Sequence, residues 1–172
     1  GEGDVHDGNS MVFTVDPDLV RNLQKLELTF LSPEMFDVPR DALRAFGFES
    51  RALAYSMALD PATGKWAFTD AEHKGAAPDE PRVAALLTAM NYGRAETMVS
   101  RSPELAARHR LEKGRAPATL SIRWEWGKTE LFLSEDLGDQ PGRPRYYARF
   151  ADKAVVFQIN AGFVDALMRR AP

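Results

Sequence analysis

The chain has 172 residues, of which 44% are hydrophobic and 27% are charged, and its formal net charge is −3. These values are typical of a soluble globular domain and exclude disorder along the whole length, while the weakly acidic balance excludes the chain-wide basic footprint of a nucleic-acid-binding protein. The chain contains no cysteine, which excludes disulfides, thiolate catalysis and thiolate metal sites.

The first predicted elements are a strand and a capped helix. Residues 11–15 are mostly apolar and favour a strand. Asp16 is a natural N-cap, and Pro17 suits the first helical position because its missing N–H costs nothing there. The apolar residues that follow recur at helical spacing and predict one buried stripe: Leu19, Val20, Leu23 and Leu26.

A helical turn and a hairpin are predicted in the next part of the chain. Residues 41–44 are expected to form a short helical turn. Residues 52–59 and 65–69 are predicted to be paired strands, because the sequence between them is a turn signal, Asp60-Pro61-Ala62-Thr63-Gly64. In such a turn proline presets φ and glycine accepts a positive φ.

Two helices and a short strand are predicted in the middle of the chain. The first helix covers residues 80–92, and Gly93 is its expected C-cap. Its inward side is apolar: Val83, Leu86, Leu87 and Met90. Residues 97–99 suggest a strand. Ser102-Pro103-Glu104 then starts a second helix, which is expected to end before Gly114.

From residue 118 onward the pattern changes to period two and predicts four strands. Apolar residues alternate with polar ones in the first: Leu120, Ile122, Trp124 and Trp126. A reversal at Gly127-Lys128 leads to strands at 129–134, 145–150 and 154–159. Asn160 caps a last helix with an inward stripe: Phe163, Val164, Leu167 and Met168. The expected fold class is α+β, with a mostly antiparallel sheet (hairpin plus four-stranded meander) and three or four packed helices.

Aromatic residues form the first candidate site. Trp124 and Trp126 are two positions apart on a predicted strand and would share one sheet face, where they could stack a sugar or a base. Tyr146 and Tyr147 would extend that floor. The structural alternative, which is favoured, is that the tryptophans cover helices packed on the sheet, because aromatic side chains dominate core burial.

A basic stretch forms the second candidate site, a possible partner surface centred on Arg108 and Arg110. It contains Arg101, Arg108, His109, Arg110, Lys113 and Arg115. Such a stretch suits an anionic partner or a lipid headgroup. The favoured alternative is that these charges complement the dipole at a helix C-terminus.

Signatures of catalysis are missing from the sequence. It has no G-x-S-x-G elbow and no glycine-rich phosphate-binding loop. Asp70, Glu72 and His73 lack metal-ligand spacing, and a solvated loop is the favoured interpretation there. We therefore assign no catalytic, cofactor or metal residue and do not expect an enzyme.

Residues near the start of the chain return near its end. The stretches 12–23 and 156–167 share four identities, Val12/Val156, Phe13/Phe157, Val20/Val164 and Leu23/Leu167. Both stretches predict a strand, a helix N-cap and an amphipathic helix. We expect residues 1–45 to be the tail of a preceding repeat unit plus a connector, and residues 46–172 to be one complete unit.

The motifs also resemble a known family. They are Gly64-Lys65-Trp66, the helix with Val83, Leu86 and Leu87, then Arg145-Tyr146-Tyr147-Ala148-Arg149 and Val155-Val156-Phe157-Gln158-Ile159 before a final helix. This order resembles bacterial domain-of-unknown-function family 4340, whose units occur in tandem. The resemblance implies a membrane-anchored parent protein, a periplasmic or other extracytoplasmic location, and partners among envelope proteins, including ABC-type transport or gliding-associated systems. It implies no catalytic residue and no cofactor.

Two functions follow from these expectations. The leading one is a non-catalytic envelope-associated module that acts as a scaffold or protein-interaction domain. The alternative is a small-ligand or glycan-binding domain that uses Trp124, Trp126, Tyr146 and Tyr147. No run in the chain approaches the roughly 18 apolar residues that cross a bilayer, so membrane attachment is expected only through a region outside this chain.

Overall fold

The computed structural model describes residues 40–91, 95–135, 138 and 144–172. Its strands are β1 (Leu43–Ser50), β2 (Ala54–Leu59), β3 (Trp66–Phe68), β4 (Ala95–Ser100), β5 (Ala118–Trp124), β6 (Gly127–Leu133), β7 (Tyr146–Phe150) and β8 (Val156–Ile159). Its helices are α1 (Glu80–Asn91), α2 (Pro103–Arg108) and α3 (Ala161–Met168), and a 3-10 turn at Arg40–Ala42 leads into β1. All the strands join one antiparallel sheet in the order β3-β2-β1-β5-β6-β7-β8-β4.

The expected fold class, α+β with three or four packed helices, is wrong. The described residues form one open eight-stranded antiparallel sheet with three short helices. The difference arises at β1, a strand that the sequence pattern does not predict. β1 pairs with β2 on one side and with β5 on the other, so the predicted hairpin and meander become one sheet. The helical turn expected at 41–44 is present as the 3-10 turn at Arg40–Ala42, and residues 43 and 44 instead begin β1.

The predicted hairpin between β2 and β3 is confirmed. The two strands pair antiparallel, with Leu59 opposite Trp66. In the turn, the Asp60 carboxylate accepts hydrogen bonds from the Thr63 hydroxyl at 2.7 Å and from the Ala62 amide at 2.9 Å. The bond from Thr63 is the main reason why the pKa of Asp60 is lowered. The turn is therefore fixed by local bonds to one carboxylate.

One face of the sheet is covered by α1 and α3. The Asp79 carboxylate caps α1 by accepting a bond from the Arg82 amide at 3.2 Å. Asn160 caps α3, as predicted, by accepting from the Gly162 amide at 2.7 Å. Both helices add their apolar stripes to the core: Val83, Leu86, Leu87, Met90, Phe163, Val164 and Leu167. Met168, expected to face inward, is 42% exposed, because it is the last helical residue and lies where the chain leaves the helix.

Arg82 holds the segment after α3 against the start of α1. Its guanidinium donates hydrogen bonds to three carbonyls around the end of α3, those of Ala166 (3.5 Å), Arg170 (2.7 Å) and Ala171 (3.4 Å). On the sheet side, the buried Tyr55 hydroxyl donates to the Leu167 carbonyl at 3.2 Å, and burial raises the pKa of Tyr55. The bonds to Ala166 and Leu167 satisfy carbonyls of the last helical turn, which a helix C-terminus leaves unpaired, and the other two hold the segment that follows the helix.

The opposite face of the sheet is only partly covered. Ser102 caps α2, as predicted, by accepting a bond from the Glu104 amide at 3.2 Å. α2 ends at Arg108, well before Gly114, because Arg110 takes a φ of 58° and turns the chain. A second, smaller core results under α2: Ala106, Leu111, Phe132 and Val156.

Several predictions concern residues that lie outside the described ranges. The strand and helix at 11–26, and with them the first copy of the repeat, are among these, as is the C-cap at Gly93. β1 runs across residue 45, where the tail of the preceding unit was expected to end. The repeat and the division into 1–45 and 46–172 stay predictions.

Candidate functional site

The two tryptophans do not share a strand face. β5 ends at Trp124, which pairs with Gly127, so the reversal is at Glu125-Trp126 and not at Gly127-Lys128 as expected. Trp124 is half-buried against the main core, while Trp126 lies on the turn and is 66% exposed. The physical reason is the close fit at Gly127, where a Cβ atom would lie 2.9 Å from Trp124 Nε1. The absence of a side chain at Gly127 leaves room for the ring and so favours the pairing of Gly127 with Trp124.

The two tyrosines lie on opposite faces of the sheet. Tyr146 is buried in the main core under α1 and α3. Tyr147 faces the smaller core, and its ring centroid is 4.8 Å from that of His109. Trp124 and Tyr146 therefore lie on the main-core face, Tyr147 lies on the opposite face, and Trp126 lies on a turn. The structure does not bring them together as one stacking floor.

The basic stretch is spread along α2 and the turns after it. Arg108 and Arg110 are both exposed. Between them, the pKa of His109 is lowered, mainly because its ring is desolvated and secondly because the Arg108 guanidinium is near. Lys113 lies further along and reaches the edge of a groove on the sheet. Of the predicted partner residues, neither Arg108 nor Arg110 lines that groove.

Asp70 and His73 have a structural role. The Asp70 carboxylate accepts hydrogen bonds from the amides of Ser56 at 3.0 Å and His73 at 2.9 Å, and it lies 2.7 Å from His73 Nδ1. Partial desolvation opposes these bonds, but together they lower the pKa of Asp70 to about 2. The Phe68 ring stacks on the imidazole at 4.9 Å. Within the described ranges, no three side chains are grouped to hold a metal ion. The hydrogen bonds of Asp70 to Ser56 and His73 hold the turn at residues 70–75 against β2.

A groove lies on the uncovered side of β1, β5 and β6, which we call the open face. Two cross-strand rows define this face: Ala45, Arg123 and Lys128, then Gly47, Ser121 and Glu130. Their apolar neighbours along the strands belong to the main core, since side chains alternate: Phe46, Phe48, Leu120, Ile122 and Leu131. The groove has a volume of about 470 Å³, which is within the range of ligand-binding clefts. Its floor consists of the small residues of the two rows.

The charged groups of the groove fall into two classes. Both carboxylates have partners: Glu130 is 3.6 Å from Lys113 Nζ, and Asp152 accepts a bond from the Thr129 hydroxyl at 3.4 Å. Arg123 and Lys128 are exposed and directly opposite each other on neighbouring strands. Neither forms an ion pair within the part of the chain that the structure describes. The groove therefore presents two cations that have no ion-pair partner among the described residues, and its charges sum to +1.

The arrangement is suited to holding a ligand. Ser121 supplies a hydroxyl on the floor, but no histidine is among the described residues that line the groove, so this hydroxyl has no imidazole base beside it. What the groove does supply is a small-residue floor, cationic side chains and hydrogen-bonding hydroxyls. These are groups that bind and orient.

Sequence reasoning missed Arg123 and Lys128 as a pair. The alternation of β5 correctly put Arg123 on the polar side, together with Thr119 and Ser121. The signal that would have revealed the pair is the two-residue turn at Glu125-Trp126, because it fixes the strand register. With the turn placed at Gly127-Lys128, Lys128 is a turn residue and cannot lie opposite Arg123.

Comparisons with known proteins find no family model, no curated protein and no solved structure that matches the chain. The resemblance to family 4340 and the periplasmic location stay predictions. Among the described helices, none has the length and apolar character that crossing a membrane would require.

Proposed function

We propose that this chain is a non-catalytic interaction module and that its open face binds an extended segment of a partner protein. The observation that carries the proposal is the contrast between the two sides of the same strands. One side is filled by a core under two helices, whereas the other forms an uncovered groove with a floor of small side chains. A floor of this kind lets a polypeptide approach the sheet closely.

The shape of the open face favours a polypeptide over a small molecule. Small-molecule sites enclose most of the ligand surface, while the sheet face that holds this groove extends beyond it to the exposed small residues Ala54 and Ala67 of β2 and β3. A chain segment lying across several strands can use that whole area. The proposed setting, among envelope proteins on the extracytoplasmic side of a bacterial membrane, is supported by the sequence resemblance alone.

A second candidate function, glycan binding, is supported by one observation. Trp126 is a large aromatic side chain held on a turn with 66% of its surface exposed, and such a ring can stack on a sugar. Titration of the intrinsic fluorescence with a panel of glycans tests this candidate, with Trp126→Ala as the matched variant. A shift in the wild-type chain that disappears in the variant would favour glycan binding over the proposed function.

The test of the proposed function is a peptide-display selection against the full chain, followed by binding assays on two variants. Ser121→Tyr fills the floor of the groove, and Ala67→Tyr adds the same ring to the same sheet face three strands away, on β3. Both positions are exposed strand positions that accept tyrosine. We expect the selected peptides to lose affinity for Ser121→Tyr and to keep it for Ala67→Tyr. Equal affinity for both variants and the wild type would refute the open face as the binding surface.

A further inference from the structure

We infer that the segment bound by the open face is acidic, and that Arg123 and Lys128 together bind its carboxylates. The inference rests on the proposed function and adds the chemistry of the partner. The groove contains three cations, Lys113, Arg123 and Lys128, against two carboxylates, Glu130 and Asp152. Glu130 is paired with Lys113, while Asp152 accepts only a hydroxyl hydrogen bond and keeps its charge, so the charged groups of the groove sum to +1.

The position of Arg123 and Lys128 is unfavourable for folding. Like charges directly opposite each other on antiparallel strands destabilise a sheet, and these two residues are such a cross-strand pair. Within the described residues, no acidic side chain forms an ion pair with either of them. An acidic ligand would remove the repulsion, because one carboxylate can accept hydrogen bonds from both side chains. Arg123 and Lys128 therefore form a binding site for an anion, whose negative charge offsets the repulsion between them.

Lys113 provides a third cation that can move to the ligand. It lies in the turn after α2, and its side chain is 83% exposed. Its ammonium is 3.6 Å from the Glu130 carboxylate, a loose contact for an ion pair. An exposed pair of this kind contributes little to stability, so Lys113 can contact a ligand carboxylate beside Glu130 at little cost. Arg123, Lys128 and Lys113 then line the groove from its floor to its edge.

Carboxylates fit this groove better than phosphates do. A phosphate monoester carries close to two negative charges near neutral pH, whereas a carboxylate carries one. Glu130 and Asp152 both line the groove and would repel the more highly charged group more strongly. An acidic polypeptide also matches the extended floor, since successive side chains can reach successive cations. The occupant we infer is thus a segment rich in Asp and Glu.

The experiment is fluorescence polarisation of a labelled octaglutamate peptide titrated with the full chain at low salt. The test variant is Arg123→Glu/Lys128→Glu. The control variant is Arg51→Glu/Lys74→Glu, which makes the same change in net charge at two exposed residues outside the groove. We expect the wild type and the control to bind and the test variant to lose about tenfold or more in affinity. A labelled octalysine peptide should show the opposite preference and bind the test variant best.

The single variant Arg123→Glu separates binding from folding. It converts a like-charge pair with Lys128 into an opposite-charge pair, so its thermal midpoint should rise slightly while its affinity for octaglutamate falls. Loss of binding together with a lower midpoint would indicate a merely structural role and would overturn the inference. Arg123→Lys keeps the charge and should keep most of the affinity.

The other outcomes are also decisive. No binding of octaglutamate at low salt, or equal loss in the test and control variants, overturns the inference. Inorganic phosphate that displaces the peptide at concentrations where acetate does not would replace carboxylate by phosphate as the ligand. If display selects neutral peptides that Ser121→Tyr rejects and the charge-reversed variant accepts, the acidic partner is wrong and the proposed function stands. If neither variant affects any selected peptide, the proposed function itself fails.

Discussion

The two sides of β1, β5 and β6 make the most instructive comparison in this molecule. Adjacent residues of β5 illustrate it, since Ile122 is buried in the main core and Arg123 is exposed beside the groove. The covered side holds large apolar side chains under α1 and α3, whereas the groove on the open side is lined by small and charged ones, and only the end of β6, at Phe132, is covered there by the smaller core under α2. The comparison shows that buried apolar residues on one face can stabilise these strands, while the other face stays available for a partner.

The largest effect is expected on the covered side. Leu167 lies fully buried in α3, and Leu167→Ala should lower the free energy of unfolding by about 2–5 kcal/mol, because it removes buried apolar surface and leaves a cavity. Chemical denaturation measures the change. Met168→Ala, at the exposed end of the same helix, is the control and should change little. Similar losses of unfolding free energy in Leu167→Ala and Met168→Ala would contradict the assignment of Leu167 to the core.

Two strand glycines sharpen the comparison further. Gly127→Ala would place a Cβ atom 2.9 Å from Trp124 Nε1, and we expect a loss of about 1–3 kcal/mol from overpacking. At Gly47, on the open face, the new Cβ would meet its nearest atoms at 3.5 Å, an ordinary contact. Gly47→Ala should therefore be neutral or slightly stabilising. Urea unfolding of both variants tests this, and equal costs would contradict the assigned packing of Trp124.

The Asp70 turn gives a pH-dependent prediction. The folded-state pKa of Asp70 is lowered to about 2 from the ordinary value of 3.8, so its contribution is present above the higher value and is lost as pH falls through the lower one. Asp70→Asn should lose on the order of 1–2 kcal/mol at neutral pH, since it weakens hydrogen bonds to a charged acceptor. Its stability should also fall less than that of the wild type between about pH 4 and pH 2.

Thermal unfolding across that pH range is the measurement. Asp165→Asn, on the exposed side of α3, is the matched substitution and should behave like the wild type. A variant of Asp70 that retains the full acid sensitivity of the wild type would show that another group is responsible.

The smallest effect is expected on the open face. Ser121 is exposed at the centre of the groove floor, and Ser121→Val should change stability by no more than about 0.5 kcal/mol, because the position packs against nothing that the substitution disturbs. Its β-branched side chain favours the strand. A loss comparable with that of Leu167→Ala would mean that the open face belongs to the core.

The sequence predicts the covered side of the fold better than its connections. The periodic stripes of α1 and α3, apart from Met168, and the caps Ser102 and Asn160 are where the pattern places them. β1 was missed because its alternation is interrupted by an irregular register between Leu43 and Ala45. A bulge shifts side chains to the other face and hides the period of two. Without β1, nothing in the pattern could join the hairpin to the meander.

The candidate site depends on strand register, which single-strand patterns do not contain. Arg123 and Lys128 are five positions apart in sequence, and only the turn at Glu125-Trp126 brings them opposite each other. In this register Gly127 lies beneath the Trp124 ring, where a Cβ atom would be 2.9 Å from Nε1, a packing relation that the pattern of a single strand does not contain. Lys113 reaches the same groove because the chain turns at Arg110, whose φ is positive. The local sequence does not predict that backbone conformation.

The most direct test of the central claim uses the absence of cysteine from this 172-residue chain. Ser121→Cys and Ala67→Cys each place one thiol on an exposed strand position, the first inside the groove and the second outside it. Rates of thiol labelling are measured with and without saturating octaglutamate peptide. Occupation of the groove predicts that the peptide slows labelling at position 121 and leaves position 67 unchanged. Unchanged labelling at position 121, or equal slowing at both positions, would contradict the assignment of the open face as the binding surface.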